Sequence, residues 1–591
     1  MSDPRSAVLG VEHSLTDKRW EASPADDRLA LALRQRHNLS DIVARILVAR
    51  GVDVDLAPSF LAPSLKALLP DPSLLKGMDE AVERIASAII DRETIGVFGD
   101  YDVDGATSAA LLERFIHTVG GKVDIYVPDR LREGYGPNLA ALLKMKDKGA
   151  GVIITVDCGI TAFDPLAGAA EAGVDVVVVD HHAAEPQLPA AIAVINPNRL
   201  DDKSGQGQLA AVGVVFLLVV ALNRCLRGRN HYADKVEPNL LQWLDLVALG
   251  TVCDVVPLTG LNRALVAQGL KIMARRDNVG LRALSDVASI AEAPTTYHAG
   301  FILGPRVNAG GRVGEAGLGA RLLTTHDADE ARDLAIRLDD WNKERRELET
   351  ACLEEAILQA EMRGLRDGLV YVSADNWHAG VIGIVASRLK ERFNRPACVV
   401  ARDKGVGKGS GRSIIGVDLG SAVIAARQSG LLINGGGHPM AAGFTVSQER
   451  EEEFASFLSN HIERQVGTEG VVRRLRIDAA LQPEGATTEL ALDLARIAPF
   501  GAGNPEPRFV LPSARIMKAD VVGENHVRCF LTGAAGGRLK AISFRSMGEP
   551  HGDALLNANG LPLHVAGNIR VDRWQGREEA QLIIEDVAPV L

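Results

Sequence analysis

Acidic and imidazole side chains recur where short β-branched runs end. TIGVFG (94–99) leads into DYDVDG, which places Asp100, Asp102 and Asp104 just past the run. GVIITV (151–156) ends at Asp157, and VDVVVV (174–179) ends at Asp180, His181 and His182. A further acid, Asp254 in GTVCDVVPL, follows the helical stretch LLQWLDLVALG. Two carboxylates about 4 Å apart repel by about 4 kcal/mol at an effective dielectric of about 20, so five or six gathered together need cations to stay ionised. Carboxylates with imidazole suit Mn²⁺ or Mg²⁺. Two such ions about 3.5–4 Å apart, bridged by a carboxylate, activate a water and stabilise the leaving oxygen of a phosphoryl displacement. Metal-assisted phosphoester hydrolysis is the chemistry this set can perform. Singly, the pieces have plainer readings: a turn or calcium loop for GDYDVDG, a helix cap for Asp180-His181-His182, buried small hydrophobes for Cys158 and Cys253. The EF-hand reading fails because the twelfth position counted from Asp100 is Leu111. Joint occurrence at successive strand ends is what favours the metal site.

The elements that position these residues follow from periodicity. The runs above, with VDIYV and AIAVI, alternate with helical stretches, the pattern of βαβ units in a parallel sheet covered on both faces. In such a sheet ligands bind beyond the carboxyl edge of the strands, where all these acids and histidines fall. Residues 1–80 form an accessory segment broken by Pro58, Pro63, Pro70 and Pro72, and 81–326 form the α/β region. Residues 327–364 lack proline and mix charges of both signs among good helix formers, which predicts a long solvated connecting helix. A second α/β region, 365–465, contains LVYVS and ACVVA and the glycine-dense GVGKGSGRS and NGGGHPMAAGF. Residues 466–591 are dominated by short strands, the pattern of a small β-barrel.

The chain has 591 residues, enough for about four domains. Apolar residues make up 47% and aromatics only 4%, so the cores are expected to be aliphatic. Six scattered cysteines show neither a CxxC nor zinc-ligand spacing, which excludes a disulfide scaffold and fits a reducing cytoplasm. The first residues carry no signal-peptide core, and the longest apolar run, Leu209 to Leu222, is too short to span a bilayer; it reads as a buried helix, and no membrane partner is expected. A net charge of -11 argues, taken alone, against a nucleic-acid partner, an inference that fails if the acids gather at bound cations.

In order, GDYDVDG, VDCG, VVDHH and GTVCDVVPL resemble the four motifs of the DHH phosphoesterase superfamily, and NGGGHPMAAGF resembles its DHHA1 domain. In length, in GPRVNAGGR (304–312), in the long helix and in a C-terminal β-domain containing APFGAGNPEPRF, the chain is similar to the RecJ family within it, bacterial exonucleases that degrade single-stranded DNA from the 5′ end. The resemblance covers roughly residues 80–591. It implies a DHH domain joined by the helix to DHHA1, plus an OB-fold barrel. It makes Asp102, Asp104, Asp157, His181 and Asp254 metal ligands, with Asp157 bridging. Some superfamily members carry a histidine four residues before the first Asp of DxD; Phe98 stands there, so Asp100 is expected to compensate as a ligand or to orient one. His182 is expected to bind metal or the scissile phosphate.

For the substrate, the resemblance together with local basic clusters points to Arg306, Asn308 and Arg312, to Lys408, Ser410 and Arg412, and to His438 facing the phosphate. Phe509, Phe530, Phe544 and Trp574 are candidates for base stacking, alongside Arg508, Arg528, Arg538, Lys540, Arg545 and Arg573. The expected activity is two-metal, single-strand-specific 5′-to-3′ exonuclease action releasing 5′ mononucleotides, in DNA repair and recombination. A single-strand-binding protein and a helicase are the partners the resemblance implies. Two alternatives are an oligoribonuclease or cyclic-dinucleotide phosphodiesterase of the same superfamily, which needs no C-terminal region, and a non-catalytic single-strand-binding scaffold, which would not need to retain every acid.

Overall fold

A computed structural model of the chain describes residues 6–130, 132–363, 368–466, 471–574 and 577–590. The chain separates into two compact units, one of residues 1–69, 257–267 and 472–591, the other of 70–256 and 268–471.

The second unit holds the parallel sheet. Its strands, Thr94–Gly99, Lys122–Tyr126, Ala150–Val156, Asp175–Val179 and Ala193–Ile195, all pair in parallel. Lys122–Tyr126 lies outside Thr94–Gly99, and the other three follow on the opposite side, so the strand order reverses between 94–99 and 150–156. Such a switch point leaves a crevice beyond the carboxyl ends of those two strands. Their alternating side chains serve two cores. Phe98, Ile153, Val176 and Val178 pack against the helices Leu139–Asp147 and Phe163–Glu171 on one face. The helices Val103–Thr118, Met78–Ile90 and Ala211–Gly228 cover the other. Ala211–Gly228 is long and apolar enough to cross a membrane by length and composition alone, yet 72% of it is buried here as a core helix.

Ala328–Arg363 is one continuous helix. It packs on Val279–Val287 and Gly304–Val313 before it and on Ile382–Phe393 after it, so it is partly buried along its length, not simply a solvated connector. The following sheet runs in the order 434–438, 441–447, 406–412, 397–403, 370–374, with the last pair parallel and the rest antiparallel. Its glycines are steric necessities at two places. A Cβ on Gly409 would meet the Phe444 ring at 2.0 Å, and one on Gly411 would meet the Leu419 side chain at 2.6 Å.

In the first unit, strands Arg508–Val522, His526–Thr532, Leu539–Ser543, Arg577–Pro589 and Pro562–Trp574 pair in succession, and 508–522 pairs with 562–574 to close the barrel. The N-terminal segment is part of this body: Leu33, Val43, Leu47 and Ala57 share one core with Phe509, Leu531 and Val565. Buried Arg263 joins its segments, donating to the carbonyls of Phe60 (2.7 Å), Ile497 (2.9 Å), Ala498 (2.7 Å) and Pro499 (3.2 Å), with its guanidinium 3.8 Å from the Phe60 ring.

Candidate metal centre

The crevice at the switch point collects the acids and imidazoles by simple local devices. Asp102 caps the helix Val103–Thr118, its carboxylate accepting from the backbone N–H of Asp104 (2.9 Å) and Gly105 (3.1 Å). Gly105 has to be glycine, because a Cβ there would stand 2.4 Å from the Asp100 carbonyl oxygen. Asp104 is fully buried and accepts from the N–H groups of Ala211 (2.6 Å) and Val212 (2.9 Å), the positive end of the helix Ala211–Gly228. Asp157 adopts a left-handed backbone, φ 61°, immediately after its strand, which turns its carboxyl back over the sheet edge. Asp254 follows the helix Leu244–Cys253.

Three ligand sets result, each with donor atoms within 4.8 Å of one another: Asp104, His181 and Asp254; Asp100, Asp102 and Asp157; and Asp157, His181 and His182. His181 Nε2 lies 3.3 Å from Asp157 Oδ1, 3.6 Å from Asp254 Oδ2 and 3.9 Å from Asp104 Oδ2. Nε2 of His181, Oδ1 of Asp157, Oδ2 of Asp254 and Oδ1 of Asp100 are all buried without a hydrogen-bond partner. Buried polar atoms are rarely left unpaired, and these converge with the donor chemistry of a divalent-cation site.

Electrostatics agree. Burial first, and then neighbouring carboxylates, raise Asp100, Asp104 and Asp157 well above the ordinary carboxyl range, and the same causes bring Asp254 to about 7. Burial, with the neighbouring His182, lowers His181 to about 4, keeping its ring neutral and fit to donate a lone pair. Asp180 behaves oppositely. Burial alone would raise it, but it accepts from the His182 ring (2.7 Å) and from the N–H groups of Ile160 (3.0 Å), His181 (2.7 Å) and His182 (3.1 Å), which together hold it below the usual range. For His182 burial acts downward, but the Asp180 hydrogen bond and charge outweigh it and bring the ring to about 9.

The basic residues divide. Arg312 and Arg412 come together, joined by Arg130, a residue that sequence reasoning missed. Burial lowers Arg312 to about 10, followed by the charges of Arg130, Arg345 and Arg412; Arg412 is lowered by burial and by Arg130. Arg130 stands 5.0 Å over the Tyr101 ring. Ser410 Oγ accepts from Arg412 at 3.1 Å. Lys408, Ser410 and Arg412 alternate along the strand Val406–Arg412 and so share one face. His438 is in register with Ala441, which is in register with Arg412, so His438 lies two strands away on the same rung. Arg306, by contrast, is tied to Asp339 (2.9 Å) and to the Ile302 carbonyl (2.7 Å), while Asn308 is half-buried on the helix Gly304–Val313.

Tyr135 was also missed: its hydroxyl donates to the Asp157 carbonyl (3.4 Å), its ring lies edge-on to His182, and it sits between Gly134 and Gly136, both with positive φ. The signal was present, since DRLREGYGPN follows the carboxyl end of another strand of the same sheet. In the barrel, Phe509 is core and not a stacking surface. Arg508, Arg528, Lys540 and Arg573 are paired with Glu585, Asp520, Asp572 and Glu578, which removes them as a free cationic groove. Arg538 stacks on Phe530 at 3.8 Å, and Phe544 is 52% exposed. The Trp574 side chain lies outside the described residues.

Three family models match: the DHH family N-terminal domain at residues 94–251, the DHHA1 domain at 366–464 and the RecJ OB domain at 477–586. The chain is 38% identical to the single-stranded-DNA-specific exonuclease RecJ of Dickeya dadantii, over 94% of this chain and 97% of that one. It is 35% identical to the protein of the same name from Escherichia coli, over 93% and 96%. Among solved structures, RecJ from Thermus thermophilus in complex with Mn²⁺ matches with a TM-score of 0.81 and 31% identity, over 96% of this chain and 79% of that one. The corresponding Mg²⁺ complex matches with a TM-score of 0.75 and 30% identity, over 96% and 78%. With its three domains matched by family models and its relatives aligned almost end to end, the chain belongs to the RecJ family.

Proposed function

We propose that the chain is a single-strand-specific DNA exonuclease that removes 5′ mononucleotides by metal-dependent phosphodiester hydrolysis. The observation that carries this reading is the convergence of orphaned ligand atoms of Asp100, Asp157, His181 and Asp254 at the switch point of the sheet. Asp104, His181 and Asp254 would hold one Mn²⁺ or Mg²⁺, and Asp100, Asp102 and Asp157 the other. Bound there, the cations supply the charge that polarises the phosphodiester and acidifies water.

The chain's own groups do the rest. Asp180 accepts a hydrogen bond from His182 Nδ1–H, which leaves His182 Nε2 to donate to a phosphate oxygen. Asp180 also fixes the histidine backbone through the N–H groups of His181 and His182. Arg130, Arg312 and Arg412 repel one another and have no carboxylate in ion-pair contact among the described residues, so an anion is their natural complement. With Ser410 and His438 they would grip a 5′-terminal phosphate and set the polarity of digestion. Phe530 with Arg538, and Phe544, offer the barrel's stacking surface for bases. A DNA substrate and free thiols fit a reducing cytoplasm. A single-strand-only nuclease calls for a helicase to open duplex and a single-strand-binding protein to hold it.

The test is digestion of one oligonucleotide labelled at either end, as single strand and as blunt duplex, with Mn²⁺, Mg²⁺ or EDTA. Metal-dependent release of 5′ mononucleotides from the single strand alone is expected. Hydrolysis confined to dinucleotides would move the chain to the small-substrate branch of the superfamily, and binding without cleavage would make it a scaffold.

A further inference from the structure

Two asparagines outside the ligand sets hold the histidine segment from behind. The edge strand Ala193–Ile195 ends in Asn196-Pro197-Asn198. Asn196 is fully buried, and its Nδ2 donates to the His182 carbonyl at 2.9 Å. Its Oδ1 accepts from the Asn198 backbone N–H at 2.7 Å, closing a local Asx turn across Pro197. Asn198 Nδ2 then donates twice, to the His181 carbonyl at 2.5 Å and to the Gly207 carbonyl at 3.1 Å.

The second of those acceptors gives Asn198 a reach beyond the histidine backbone. Gly207 opens the short segment that leads to Leu209, whose backbone makes a hydrogen bond with the His181 ring. Two residues further on, Ala211 and Val212 supply the N–H groups that hold the Asp104 carboxylate. One amide therefore ties together the main chain of His181, the segment that orients its ring, and the helix start that fixes Asp104. Asp180, itself held by the Ile160 N–H, also clamps the same histidine pair through their backbone N–H groups and the His182 ring.

We propose that Asn196 and Asn198 are positioning residues for the metal centre, setting where His181 Nε2 stands relative to Asp104, Asp157 and Asp254. Neither reaches a ligand atom, so they act through His181 and His182 and not on substrate. A metal-ligating histidine whose second ring nitrogen and backbone are held by hydrogen bonds keeps its tautomer and direction, and loss of such supports weakens metal affinity by about tenfold to a hundredfold. The proposal rests on the metal assignment made above.

The experiment uses the full chain with Asn196→Ala, Asn198→Ala and Gly207→Ala. Gly207 is exposed, and a Cβ there would meet Asn198 Oδ1 at 2.5 Å, so this substitution disturbs the Asn198 amide from the solvent side while sparing the core. Mn²⁺ titration by calorimetry, Mn²⁺ paramagnetic resonance, single-strand binding in EDTA, and kcat and KM at several Mn²⁺ concentrations are measured. Mn²⁺ affinity is expected to fall about tenfold to a hundredfold in the asparagine variants and less in Gly207→Ala. The Mn²⁺ spectrum should change and kcat should recover partly as Mn²⁺ is raised, with KM and EDTA binding unmoved. Folded variants with wild-type Mn²⁺ affinity and spectrum would overturn the proposal, and if the asparagine variants fail to fold, Gly207→Ala alone decides it. Asp157→Asn is the control. If that variant keeps wild-type Mn²⁺ binding, the metal assignment itself has failed, not the role of the asparagines.

Discussion

His181 Nε2 stands 3.3 Å from Asp157 Oδ1, and neither atom has a hydrogen-bond partner. Two buried polar atoms facing each other unpaired are unfavourable unless something with positive charge comes between them. Asp157 holds its place through a left-handed backbone, a conformation that asparagine tolerates and alanine does not. Asp157→Asn is therefore the cleaner variant. It should cut turnover by on the order of a thousandfold or more, the several kcal/mol expected of a lost cation ligand, while leaving single-strand binding in EDTA unchanged. End-labelled digestion and filter binding on the same preparation check both halves; retained turnover would remove Asp157 from the site.

The same repulsion predicts a stability signature. In EDTA at neutral pH, Asp157→Asn should melt at or above the wild-type temperature, because the wild-type carboxyl must either stay ionised among buried carboxylates or take up a proton on folding. Adding Mn²⁺ should raise the wild-type melting temperature by mass action and the variant's much less. Calorimetric scans with and without Mn²⁺ distinguish the two, and equal shifts would contradict the ligand assignment.

Arg412→Ala removes one of three mutually repelling guanidinium groups. For strands with a 5′ phosphate, kcat/KM should fall by about ten- to a hundredfold, the size of a charge-assisted hydrogen bond. For strands with a 5′ hydroxyl the loss should be smaller. A steady-state comparison of the two substrates settles whether the cluster reads the terminus, and equal losses would place Arg412 elsewhere on the strand's path.

Asp245, in the first turn of the helix Leu244–Cys253, is buried, and burial raises its carboxyl to about 6 although the Leu246 N–H and Arg114 act against it. A folded-state value above the unfolded one means the folded chain binds this proton more tightly. The contribution is fully present below about pH 4 and is lost as pH rises through about 6. Asp245→Asn should therefore stabilise the fold by up to about 3 kcal/mol at pH 8 and hardly at all at pH 4. Urea unfolding at the two pH values checks this, and a variant less stable at pH 8 would show that the Arg114 attraction dominates.

Gly105→Ala would push a methyl group to within 2.4 Å of the Asp100 carbonyl oxygen. A loss of about 1–3 kcal/mol in stability is expected, with weaker metal binding because Asp100 and Asp102 flank the displaced turn. Denaturant midpoints and Mn²⁺ titration report the two effects separately.

Local rules made the metal centre legible. Short β-branched apolar runs announce strands buried on both faces, an Asp beyond each run can only lie at the carboxyl edge, and that edge is common to all strands of a parallel sheet. Asp100, Asp102, Asp104, Asp157, Asp180, His181 and His182 could be placed at that edge on this basis, whereas Asp254 follows a helix and the choice of ligands among them came from the resemblance to the DHH motifs. What no local pattern contains is the partnership of groups far apart in sequence. Arg306 and Arg312 look equivalent in GPRVNAGGR, yet Asp339 of the long helix takes the first and the second joins Arg130 and Arg412. The barrel's cations look like a DNA groove until cross-strand acids neutralise four of them. The N-terminal segment carries no motif, and only packing shows that its leucines and valines complete the barrel's core. Sequence spacing thus determined which elements form and which edge bears the chemistry, because those depend on neighbours along the chain. Tertiary structure decided which charges remain available to a ligand, because that depends on the counter-charges and burial that distant segments supply.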